Sequence, residues 1–149
     1  MKLLEIILCL SIAFLLILSI RFNLDFEIEL IRIETRNEFI YSLVYARSRA
    51  ILLRERVFYV FARKDTDNTE TENNRYLKIV SDTGGKTSVV NFTPVNPRVQ
   101  IDGFETEEDY SPFHFTGNGN ARSGTLRWEV GEENERIVVN NRGRFRWGK

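Results

Sequence analysis

Cysteine is almost absent from this chain. Only Cys9 occurs in 149 residues, so neither an internal disulfide framework nor a cysteine-rich zinc site can form. Histidine is as scarce: His114 stands alone, which excludes a histidine cage for a metal. Prolines number three and glycines nine, and none of either lies between Met1 and Gly84. Nothing in that first stretch obliges a helix to break. Net charge is missing too, with 21 Lys and Arg against 21 Asp and Glu. That excludes a protein that coats a polyanion with its whole surface, but it leaves room for a local basic patch. With 28% charged and 42% hydrophobic residues the chain is not disordered throughout, and its length suits one domain plus an appendage.

The chain does contain one long apolar run. Leu3 to Ile20 reads LLEIILCLSIAFLLILSI, with Glu5 as its one charge. As a helix it spans roughly 27 Å, close to the hydrocarbon thickness of a bilayer. A cleavable signal peptide would need a small-residue cleavage site, and Ser19-Ile20-Arg21 is not of that kind. A buried core helix at a chain terminus is rarely apolar all round. The run therefore reads as a single membrane anchor. Lys2 precedes it; Arg21, Asp25, Glu27 and Glu29 follow it, and the expected orientation is N-terminus inside. The remaining part, 22–149, carries 19 basic and 20 acidic residues and is long enough to build its own core.

Glu5 is the anomaly in that anchor. A carboxylate at mid-bilayer costs roughly 2.5–3.5 kcal/mol, less within a turn of the end, where it can snorkel to the headgroups. The other reading gives it a positive partner at the same depth, because two buried opposite charges are tolerated only as a pair. Met1-Lys2-Leu3-Leu4-Glu5-Ile6-Ile7-Leu8 resembles the mature amino terminus of type IV pilins and type II secretion pseudopilins. The resemblance implies that Glu5 neutralises the terminal amine of a neighbouring subunit during assembly. It also makes Met1 the place of processing and methylation if Met1 is the mature first residue. The family's precursors carry a basic leader ending in glycine. Met1 at the first mature place leaves three readings: a mature form, a start further upstream, or a chain that prepilin peptidase does not process. Phe14 and Phe22 stand where the family often has a helix-softening glycine and proline, which implies a straighter anchor.

Phe22 to Ile33 alternates apolar and polar residues, which taken alone favours a strand. The resemblance favours a helix instead, apolar on two faces. Over 36–54 the helical face is clear: Phe39, Ile40, Leu43, Val44, Ala50 and Ile51 share it. Arg47 falls within that stripe, and the expectation there is a snorkelling stem paired with a local carboxylate. Tyr41-Ser42-Leu43-Val44-Tyr45-Ala46-Arg47-Ser48-Arg49-Ala50-Ile51, followed by a basic turn and Val57-Phe58-Tyr59-Val60-Phe61, is similar to the minor pseudopilin H of type II secretion and to the fimbrial T minor pilins. Beyond Arg56 the pattern predicts strands at 56–62, 75–80, 86–92, 98–101, 112–116, 124–130, 135–140 and 143–147, with Gly84-Gly85 as a hairpin turn. The expected fold is α+β: a long N-terminal helix, its first half transmembrane, packed on a C-terminal antiparallel β-sheet domain of one or two sheets. The expected divisions are an anchor at 1–21, a helix continuing through 22–55 and a β-domain at 56–149.

Most candidate chemistry dissolves on inspection. Asp65 to Glu72 looks calcium-like, but Glu70 and Tyr76 stand where a calcium loop needs glycine and an acid, so it reads as a solvated loop. Gly117-Asn118-Gly119 lacks the third glycine of a dinucleotide motif and reads as turns. His114 between Phe113 and Phe115 reads as structural. No spacing suggests a catalytic triad, so neither an enzyme nor a cofactor is expected.

The C-terminus is sharper. Arg136, Arg142, Arg144, Arg146 and Lys149 occur there with no acid after Arg136. Arg144 and Arg146 share one strand parity, and Phe145 and Trp147 take the other. The segment Phe115 to Leu126, Arg136 to Asn140 and Gly143-Arg144-Phe145-Arg146 resemble the closing sequence of fimbrial T-like minor pilins, in which a terminal G-R-x-R is implicated in DNA uptake. That implies Arg142, Arg144, Arg146 and Lys149 as candidate DNA-binding residues, by bidentate phosphate contact, with Trp147 stacking on a base. The competing reading pairs these arginines with the acidic runs Asp102–Asp109 or Glu132–Glu135.

Two functions follow from the resemblance. One is a structural subunit, a minor pilin or pseudopilin of a type II secretion or type IV pilus filament, held in the inner membrane with its C-terminal domain outside the cytoplasm. Its partners would be other subunits, the inner-membrane assembly platform and lipid. The other is a DNA-binding minor pilin acting in DNA uptake. An unrelated single-pass protein with a β-rich ectodomain is the third reading.

Overall fold

The computed structural model describes residues 2–63, 75–102 and 110–148. Met1, Lys149, the calcium-like loop 65–72 and the acidic stretch 103–109 lie outside the described residues, as do the side chains of residues 2–5, Glu5 among them.

A single helix, α1, runs from Lys2 to Leu53. Eight strands follow: β1 Arg56–Arg63, β2 Arg75–Thr83, β3 Lys86–Pro94, β4 Val99–Ile101, β5 Tyr110–Phe115, β6 Gly124–Val130, β7 Glu133–Val139 and β8 Phe145–Gly148. They form two four-stranded antiparallel sheets, ordered β3-β2-β1-β5 and β4-β6-β7-β8. The fold is therefore α+β with two sheets, and all eight expected strands are present within a few residues of their expected bounds. The alternating stretch Phe22–Ile33 is helical. Helix propagates cheaply once nucleated, and no proline or glycine stands in its way.

The chain divides into two compact units, Met1–Glu34 and Thr35–Lys149. In the first, α1 is long and apolar enough to cross a membrane. Its apolar side chains face outward: Ile6, Leu10, Phe14 and Ile17 are exposed, and so are Phe22, Phe26 and Leu30.

In the second unit the last turns of α1 bury Phe39, Leu43, Ala46 and Ala50. The first sheet turns Val57, Tyr59, Phe61, Leu77, Ile79, Phe113 and Phe115 inward, and the second turns in Leu126, Trp128, Val130, Ile137 and Val139. These are every second residue of their strands, as a half-buried sheet requires. Phe39 joins the layers: its ring meets Phe61 of the first sheet edge-on at 5.6 Å and Trp128 of the second at 5.1 Å. Such edge contacts add about 0.5–1.5 kcal/mol each to the area they bury. The hydroxyl of buried Tyr59 accepts a hydrogen bond from Ser42 Oγ at 3.1 Å, and burial pushes its pKa far up.

Two turns set the register. Gly84 and Gly85 both have positive φ, and Thr83 pairs with Lys86 across them, a two-residue hairpin. At the end of α1, Arg54 sits at φ +55°, and the Glu55 N–H donates to the Ala50 carbonyl at 3.2 Å. That is a Schellman stop with arginine in the place usually held by glycine. Glu55 then accepts from Ser81 Oγ on β2, and the Ser81 and Thr83 hydrogen bonds hold its carboxyl below its ordinary pKa. A left-handed residue with a Cβ costs roughly 1–2 kcal/mol, partly offset because glycine frees the unfolded chain. Arg54→Gly should therefore stabilise the full chain in detergent by about 0.5–1 kcal/mol. Thermal or urea unfolding checks it, and an unchanged or lower midpoint contradicts it.

Candidate polyanion-binding face

The terminal arginines are held by a turn that the helix itself clamps. Asn140 organises the turn between β7 and β8. Its Oδ1 accepts from the Arg142 and Arg144 N–H groups at 3.0 Å each, and its own N–H donates to the Arg144 carbonyl at 2.9 Å. Gly143 donates back to the Asn140 carbonyl at 2.9 Å and adopts φ +67°. Arg47 of α1 then reaches in. Its Nε donates to the Gly119 carbonyl and its guanidinium NH2 to the Arg142 carbonyl, both at 3.3 Å. The expected carboxylate partner of Arg47 is thus replaced by two backbone carbonyls, which α1 finds because two loops converge on its last turns. A Cβ on Gly143 would fall on the Gly119 carbonyl oxygen and within 2.9 Å of Arg47 Nε. One on Gly117 would lie 2.7 Å from the Arg54 backbone. The glycine of Gly143-Arg144-Phe145-Arg146 therefore has a packing role whatever the arginines bind.

Past this turn, β8 alternates. Arg146 pairs with Val138, on the outer face of the second sheet; Phe145 pairs with Val139 and Trp147 with Ile137, both of which are buried. Arg142, Arg144 and Arg146 are exposed. An open groove of about 490 Å³ is lined by Arg136, Val138, Asn140, Arg144 and Arg146 together with Trp147.

Trp147 is engaged on one side and remains 37% exposed along the groove. The Arg36 guanidinium of α1 lies 4.5 Å from the centre of its ring, a cation–π contact that occupies it from the helix side.

The internal ion pairs that competed for these arginines are not formed among the described residues. Asp102 lies 3.6 Å from Arg127 on β6, both side chains well exposed. Glu135 is turned inward and only 2% exposed. Glu132 and Glu133 sit at the opposite end of β7 from the Asn140 turn, roughly 20 Å away at about 3.4 Å per residue. Arg136, Arg144 and Arg146 make no ion pair among the described residues. Exposed guanidiniums of this kind can bind phosphate or carboxylate by two parallel N–H bonds. The face carries no nucleophile beside a base, and among the described residues no cluster of His, Cys, Asp and Glu could hold a metal.

His114 lies on the other sheet, paired with Phe58 across β1 and β5 with ring centres 5.7 Å apart. Partial burial, then the charges of Arg56 and Arg122, hold its pKa below the ordinary value.

Gly143→Ala should destabilise the full chain by about 2 kcal/mol or more, left-handed strain and overlap acting together. Gly85→Ala is the control, because Gly85 has positive φ but nothing within 4 Å of a new Cβ, and it should lose about 1 kcal/mol. Equal losses in urea unfolding would contradict the packing role of Gly143.

Comparison with protein-family models, with curated proteins and with solved structures returns no match for this chain.

Proposed function

We propose that this chain is a minor pilin-like or pseudopilin-like subunit of a filament assembled at the inner membrane, in a type II secretion or type IV pilus system. The observation that carries the reading is the architecture of α1. One unbroken helix begins with an exposed apolar, membrane-length segment containing Glu5 and ends as the packed helix of a two-sheet domain. The resemblance of Met1 to Leu8 and of Tyr41 to Phe61 to that family points the same way. So does the outward face of α1 within the second unit. Tyr41, Val44 and Leu52 are exposed, Tyr41 by 70% and Leu52 by 80%, on the side opposite Phe39, Leu43, Ala46 and Ala50. An apolar stripe of that kind outside a bilayer calls for neighbouring protein. In this reading the N-terminus is cytoplasmic, the β-domain lies outside the cytoplasm, and Met1 is processed and methylated if it is the mature first residue. The subunit requires no catalytic group.

A second reading has its own observation. The exposed arginines of the C-terminal face, which make no ion pair among the described residues, support a minor pilin that captures DNA during uptake. The two readings are compatible in one protein.

Glu5→Ala tests the first. The variant should remain in the membrane fraction yet lose co-purification with other pilin subunits, tenfold or more. Normal incorporation into filaments would contradict the assembly role of Glu5.

A further inference from the structure

The second sheet has two unlike ends. The β6–β7 register sets Arg127 opposite Arg136, and the β7–β8 register sets Val138 opposite Arg146. Directly paired residues share a face, so these side chains all belong to the outer side of the sheet. At the β7–β8 end, Arg136, Arg144 and Arg146 are exposed and make no ion pair among the described residues. The groove that they rim also exposes apolar surface, from Val138 and Trp147. That end is basic and partly apolar.

The β4 end is the reverse. Asp102 and Glu129 stand there with Arg127, which lies 3.6 Å from Asp102. Gln100 and Asn134 join them in lining a second open groove, of about 350 Å³. Four more acids follow Asp102 in the sequence: Glu105, Glu107, Glu108 and Asp109. In the order β4-β6-β7-β8, three strand spacings separate the two ends, about 14 Å. Exposed charges that far apart are largely screened from each other at physiological salt, so the described ends of one chain do not neutralise each other.

From this we infer that the two ends bind each other between copies of this chain: the basic β7–β8 groove of one copy takes the acidic β4 edge of the next. The occupant is a second copy because each chain carries both complementary surfaces on one sheet. The geometry of charge also selects the arrangement. A twofold pair made edge to edge would set arginine against arginine or acid against acid. A twofold pair made face to face would stack the sheet centres, where Arg127 and Arg136 stand opposite each other, and so gather four guanidiniums at the axis. Juxtaposed like charges oppose both. A head-to-tail contact avoids them, leaves one free end of each kind, and repeats along a line unless its rotation closes a ring. Exposed Val138 and Trp147 give the basic end an apolar floor suited to a protein partner. The inference rests on the filament-subunit reading above and names one neighbour of that subunit, a further copy of this chain.

The test uses full chains in membranes, each with Cys9→Ser and one new thiol. One chain carries Gln100→Cys at the acidic end and the other Val138→Cys at the basic end, and a bis-maleimide joins neighbours. The mixed dimer should form at about fivefold or more the yield of either chain with itself. Thr87→Cys, exposed on the first sheet, is the bystander control and should join neither partner above background. Arg144→Glu in the Val138→Cys chain should cut the mixed product about fivefold, and Glu129→Arg in the Gln100→Cys chain should restore it, a rescue that misfolding cannot produce. Equal yields for mixed and like pairs overturn the inference, and so does a failed rescue. If Arg144→Glu leaves the mixed product unchanged while weakening duplex DNA binding, the arginine serves DNA and the head-to-tail contact is refuted. Co-purification with other pilin subunits without the mixed product refutes the contact and leaves the filament reading standing. Absence of both refutes the two together.

Discussion

The contact on which the second unit depends is made by one ring. Phe39 leaves α1 and lies between Phe61 of one sheet and Trp128 of the other. Among the described residues the two four-stranded sheets share no edge hydrogen-bonding beyond an isolated bridge at Phe115 and Ala121, within the chain that links them. A common apolar surface must therefore hold them, and α1 supplies it with Phe39, Leu43, Ala46 and Ala50. Replacing a buried phenylalanine by alanine typically costs about 3–5 kcal/mol, a large part of the stability of a domain this size. The helix thus does two jobs along one sequence. Its early turns present apolar side chains outward, and its late turns present them to the sheets.

The arginines show how the same helix governs the surface. Arg47 and Arg36 both leave α1, and each is spent on structure. Arg47 binds the carbonyls of Gly119 and Arg142, and Arg36 covers Trp147. The arginines of β7 and β8 have the opposite fate. Strand alternation points them away from the core, and the acids near them in sequence are turned inward, paired elsewhere or at the far end of the strand. A chain with no net charge in this way carries a local basic face.

Much of this was legible in the sequence because it is local. The strands announce themselves by alternation, as in Val57, Tyr59 and Phe61, and by glycines at Gly84-Gly85 and Gly131. The absence of helix breakers before Gly84 marked the long helix. The alternating stretch Phe22–Ile33 misled when taken alone, because a period of two says nothing about the helix already running into it. The partners of Arg47 were not legible at all: they are backbone carbonyls 72 and 95 residues away, and any residue can supply one. The parity of Trp147 could be read, but not that Arg36 waits on that side. Arg127 escaped notice as a neighbour of the terminal arginines because only the β6–β7 register brings it opposite Arg136.

The central claim is that the outward apolar face of α1 is covered by neighbouring subunits. Tyr41, at the middle of that face within the second unit, reports on it most directly. In a chain carrying Cys9→Ser and Tyr41→Cys, the single thiol is offered to a membrane-impermeant maleimide in intact membranes, with and without the other pilin subunits. The account predicts rapid labelling of the chain alone and protection of tenfold or more when the filament is assembled. Equal labelling in both states would contradict it.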